Sequence, residues 1–102
     1  AEDEQNLDRV SFDLDYFRAY TKAYLEELGD SVTPRERELL PFSAKLMTLE
    51  CGMRFLTDHI DGDRYFRIHR ENHNLDRCRT QFRLVADMER KMDEMTRIVA
   101  NI

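Results

Sequence analysis

The chain has 102 residues, 41% hydrophobic and 36% charged, with only three Gly and two Pro. That is one small domain or part of a larger one, with a modest core and few chain breakers, which excludes a disordered or all-β protein. A net charge of -5 at pH 7 excludes a general nucleic-acid binder, and no apolar run approaches the ~20 residues of a membrane span or forms an export signal, so a cytoplasmic protein is expected.

Residues 1–10 are polar and non-periodic and read as a tail or linker. The chain begins at Ala1 rather than Met, with four acids in its first eight residues, which suggests a cut or cloned boundary. Ser11 or Asp13 then caps a first helix, in which Phe12, Phe17, Tyr20, Tyr24 and Leu28 recur at helical spacing and which ends at Gly29. Thr33-Pro34-Arg35-Glu36 is a capping box with Pro at the first helical position. Pro41 follows closely, limits this second helix to one or two turns, and opens the next.

From Phe42, positions 42, 46, 49, 53, 56 and 60 alternate steps of four and three, while Met47, Cys51 and Phe55 widen the stripe. So wide a stripe predicts a largely buried helix ending near Asp61-Gly62. Arg64–Ile68 is the only segment whose Tyr, Phe and Ile favour an extended chain, as a short strand or an irregular crossing. Asn72 or Asn74 then caps a single long final helix of about seven turns. Its apolar side carries Leu75, Cys78, Phe82, Val85, Met88, Met92, Met95 and Val99. The expected fold is all-α, with three main helices and a short connecting one.

Few motifs carry chemistry. Cys51 and Cys78 lack CxxC spacing and read as buried thiols. His59-Ile60-Asp61 resembles the start of a kinase catalytic loop, but Phe66 stands where that loop needs a metal-holding Asn. A calcium loop through Gly62 puts Thr57 first and Ile68 twelfth, and neither supplies a carboxylate. His69 and His73, with Glu71 between them, lack a third ligand and read as solvent-exposed histidines. Met88, Met92 and Met95 read as filling a helix–helix seam, with an adaptable partner-binding surface as the alternative.

Arg54 interrupts an otherwise apolar stretch. It reads either as an exposed partner of Asp58 one turn on, or as converging with Tyr65 across the Asp61-Gly62-Asp63 reversal on one cleft. A guanidinium fork beside a phenol suits a polyhydroxylated ligand, which needs directional donors and a flat surface.

The runs LLPFSAKLMTLECGMRFLTDHIDGDRYF and HRENHNLDRCRTQFRLV resemble the C-terminal part of bacterial phosphotransferases of the aminoglycoside phosphotransferase type, in the group similar to N-acetylhexosamine 1-kinase. The likeness covers roughly residues 11–90. It implies that residues 11–102 form the C-terminal helical subdomain of a larger protein-kinase-like chain. It places the chain at the far end of the helical lobe, after the catalytic loop and the metal-binding Asp, so that the upstream part, including the missing ATP-binding N-terminal lobe, would carry the glycine-rich loop, the catalytic Asp and the residues that hold ATP and Mg2+. The resemblance also implies that Arg54 and Tyr65 bind the sugar-like substrate, and that this segment alone has no catalytic residue, cofactor site or metal site. A reading of another class is an independent helical interaction module that binds another helix or its own copy.

Overall fold

The computed structural model describes all residues, Ala1–Ile102. The chain is all-helical, with five α-helices and no strand: α1 Leu14–Leu28, α2 Pro34–Glu38, α3 Leu40–Ile60, α4 His73–Arg90 and α5 Met92–Ala100. Single 3-10 turns at Leu7–Arg9 and Gly29–Ser31 precede and follow α1.

Local chemistry sets the first boundaries. The Asp13 carboxylate accepts the N–H groups of Asp15 and Tyr16 at 2.9 and 3.0 Å, which caps two of the free donors at the start of α1. Gly29 ends α1 at φ 53°, where a Cβ would be strained. Both halves of the capping box form: Glu36 N–H donates to Thr33 Oγ1 at 3.1 Å, and Thr33 N–H donates to Glu36 Oε1 at 3.3 Å. Leu39 joins α2 to α3, and Pro41 sits in the first turn of α3, where no N–H is required.

α4 lies along α3, and α5 turns to meet α1, α2 and α3. At the α3–α4 crossing a Cβ on Gly52 would come within 2.7 Å of the Phe82 ring, so the helices approach where the side chain is absent. The apolar core sits at the other end. Phe17 of α1, Met88 of α4 and Met95, Ile98 and Val99 of α5 form it, with Leu40 and Ala44 of α3 packed alongside. Arg37 of α2 donates to the carbonyls of Val99 and Ile102 at and just beyond the end of α5, where no i+4 N–H remains to pair them.

Four expectations are corrected by this arrangement. The single final helix is two, because Lys91 leaves helical geometry at φ -101°, ψ 7°. No Pro or Gly marks the break; Lys91 is held there by its amine, which donates to Asp87 Oδ2 at 2.7 Å and to the Phe12 carbonyl at 2.8 Å. Residues 1–10 are not a free tail. They run along the polar side of α4, with Asp3 2.8 Å from His73 Nε2, Gln5 Nε2 donating to Asp76 and Thr80 Oγ1 donating to the Glu4 carbonyl. Apolar periodicity is blind to such polar docking. Tyr20 and Tyr24 of the α1 stripe are exposed, and only Phe17 and Thr21 of that helix are buried. The wide stripe of α3 is covered on one side only. Of the two forms expected for Arg64–Ile68, the structure has the irregular crossing, without strand pairing.

Candidate functional site

The C-terminal end of α3 and the chain reversal after it build the site. Gly62 at φ 92° and Asp63 at φ 61° turn the backbone through left-handed geometry, which returns residues 64–66 along the side of α3. Asp58 holds the returning chain. Its carboxylate accepts the N–H groups of Tyr65 at 2.7 Å and Phe66 at 2.9 Å, and the Asn74 side-chain amide at 2.8 Å. Asn74, fully buried, donates as well to Asp63 at 3.0 Å and accepts from Arg77, which also donates to the Arg67 carbonyl. The Asp58 carboxylate and the Asn74 amide are fully engaged in this buried network, the condition under which polar groups hold one geometry, while Arg77 Nε makes no hydrogen bond and lies 3.4 Å from Glu2.

Burial pushes the Asp58 carboxyl up, but the amides of Phe66, Tyr65 and Arg64 and the Asn74 side chain outweigh it and hold the group below the usual carboxylate range. Asp58 is therefore an ionised anchor turned inward, and it forms no pair with Arg54. No helix-spacing rule identifies it. The available signal is an acid at a helix end just before a glycine reversal, where a side chain can accept the amides of the next segment. For Asp58→Ala, amide exchange at Tyr65 and Phe66 should rise at least about tenfold by NMR, with the α1–α5 core amides little changed. Unchanged exchange at these two amides would mean that the reversal is held elsewhere.

Arg54 and Tyr65 come together. The Arg54 guanidinium lies 5.9 Å from the centre of the Tyr65 ring and 5.8 Å from that of Phe66, within cation–π range. Phe66 packs edge-on with Tyr65 at 4.9 Å and against the buried Phe55 at 4.7 Å, so the aromatic floor is anchored to the core of the α3–α4 crossing. Arg54, Thr57, Asp58, Asp61, Tyr65 and Phe66 line an open cleft of about 370 Å3. Arg54 makes no hydrogen bond or ion pair inside the chain, so its five donors are free. Asp61 is exposed and free to accept, whereas Asp58 is occupied by its own backbone.

The remaining candidates sit elsewhere. His73 is buried rather than exposed: its Nδ1 accepts the His69 N–H at 3.2 Å, and its Nε2 faces Asp3. Both ring nitrogens are engaged, because the imidazole joins the N-terminal segment to the start of α4. Cys78 is buried and Cys51 half-buried, and burial raises both thiols. Met88 and Met95 lie in the core, which removes that side of the final helix as a binding surface.

No known protein-family model matches the chain.

Proposed function

We propose that this chain is the substrate-side helical segment of an ATP-dependent phosphotransferase that acts on a sugar-like, polyhydroxylated compound, and that it belongs to the C-terminal part of a protein-kinase-like fold. The observation that carries this reading is the convergence of Arg54 and Tyr65 on one cleft, with the guanidinium unpaired and the phenol ring exposed beside it. The enzyme class in this reading is drawn from the resemblance of residues 11–90 to the aminoglycoside phosphotransferase type.

In this reading Arg54 donates to hydroxyl or acyl oxygens, the face of Tyr65 receives the apolar side of the ring, and Asp61 accepts from a hydroxyl. A donor, an acceptor and a flat wall fix a small ring in orientation, and orientation is what phosphoryl transfer requires of a substrate-side element. The residues of this chain do not fit Mg2+ or ATP. No three His, Cys, Asp or Glu side chains converge as a metal site, and the three glycines form no phosphate-cradling loop. In this reading ATP and Mg2+ are held by the rest of the parent enzyme, and the segment by itself is not expected to catalyse.

The test uses the parent enzyme that carries this segment. Arg54→Ala should raise KM for the sugar about 10- to 100-fold, the loss expected of one or two hydrogen bonds from a charged donor, with KM for ATP within about twofold. An unchanged sugar KM removes Arg54 from the substrate site.

A further inference from the structure

α3 carries two faces, and α4 covers only one of them. Gly52, Phe55 and Asp58 are buried on α4. The other face runs through Phe42, Leu46, Leu49, Met53, Leu56 and Ile60, with Phe42 50%, Leu46 51%, Met53 55% and Ile60 73% exposed and Leu49 and Leu56 half-buried. Alternating steps of four and three are the two apolar positions of a heptad, the seam that one α-helix offers to another of the same kind. Leu46, Met53 and Ile60 occupy one of these positions; Phe42, Leu49 and Leu56 occupy the other. At ~1.5 Å per residue the seam is about 27 Å long.

Three observations specify the occupant. First, Phe42, Leu46, Met53 and Ile60 are each at least half exposed, so no element of the chain closes over the seam, in keeping with an extended slab of 45 × 28 × 18 Å. Second, α3 is already formed by packing on α4, so pairing meets no cost of helix nucleation. Third, Lys45 and Glu50 flank the seam on opposite sides, and neither has an ion-pair partner within the chain. In a parallel, in-register pair, Lys45 of one copy meets Glu50 of the other, and symmetry makes the contact twice. Antiparallel overlap of the whole seam instead brings Glu50 close to Glu50.

We propose that α3 is a self-recognition helix, whose outward seam pairs with the same seam of a second copy, parallel and in register about a twofold axis. The seam does not use the Arg54–Tyr65 pair, and either reading stands without the other.

Sedimentation equilibrium of this chain from about 1 μM to 1 mM covers the range in which a modest interface associates. The mass should rise from 12.3 kDa to twice that value. Leu49→Glu should weaken the dimer at least about 100-fold while helical circular dichroism is retained. Lys45→Glu and Glu50→Lys should each weaken it, and the double variant should restore it. In a Cys51→Ser background, Met53→Cys should give a disulfide-linked dimer under a thiol oxidant, because equivalent seam positions face each other only in parallel register. A mass of 12.3 kDa throughout overturns the proposal and assigns the seam to another helix, such as one from a longer parent chain. A dimer indifferent to Leu49→Glu, or a Met53→Cys variant that does not cross-link, overturns it equally.

Discussion

Met95→Ala should remove about 2–5 kcal/mol of unfolding free energy and lower the thermal midpoint by roughly 10 °C or more. Met95 has no exposed surface and stands at the centre of the cluster formed by Phe17, Met88, Ile98 and Val99. Truncation removes the transfer free energy of its thioether chain and leaves a void between three helices, which can collapse only by moving α5. Only 16 residues of the chain are buried, so few other contacts compensate. A domain of this size has about 5–15 kcal/mol in total, and one core side chain is a large share of that. Urea denaturation followed by circular dichroism measures the loss. Met47→Ala is the control, since that side chain is exposed on α3 and its removal should change stability by less than about 0.5 kcal/mol. Equal effects at the two positions would contradict the assignment of the core to the α1–α4–α5 junction.

The second large effect is electrostatic and depends on pH. Asp87 is almost fully buried and accepts from Phe12 N–H at 2.6 Å, from Lys91 Nζ at 2.7 Å and from Arg90. Burial pushes its carboxyl up, but Lys91, the Phe12 amide and Arg90 outweigh that and hold it at about 2. Arg90 is largely exposed, so the Phe12 amide and Lys91 carry most of the effect. The folded value lies below the unfolded value of 3.8, so the ionised form is favoured by folding. The resulting stability is fully present above pH 3.8 and is lost as pH falls through about 2.

Asp87→Ala should therefore cost about 2–4 kcal/mol near neutral pH, where it strands the Phe12 N–H and the Lys91 ammonium. The difference from the parent chain should shrink between pH 4 and pH 2, as the part that depends on the ionised carboxylate is lost. A difference independent of pH across the window would mean that Asp87 acts through packing rather than charge. The same variant should loosen the α4–α5 break, because Lys91 loses one of the two acceptors that hold it out of helical geometry.

Much of the secondary structure was legible because it rests on contacts a few residues apart. The Asp13 cap, Gly29, the Thr33–Glu36 capping box and Pro41 each satisfy or remove specific backbone donors, and those requirements appear in the chain itself. The same holds for the end of α3 at Asp61-Gly62. The candidate site was legible in part. Arg54 and Tyr65 were marked by an Arg out of pattern, by an aromatic after a reversal and by the family resemblance. Their shared cleft depends on the returning backbone that Asp58 and Asn74 anchor, and Asp58 itself read as a surface partner of Arg54.

By itself the sequence determined the all-helical class, the first helix boundaries and the alternating apolar spacing of α3, because propensity, capping and periodicity act over a few residues. Only the tertiary structure decided where the last helix breaks, which face of α3 is covered and that residues 1–10 dock on α4. Lys91 is fixed by Phe12, 79 residues away in sequence, and His73 by Asp3, 70 residues away. An apolar stripe states that a surface can be buried, and the elements brought against it by contacts of this range decide whether it is.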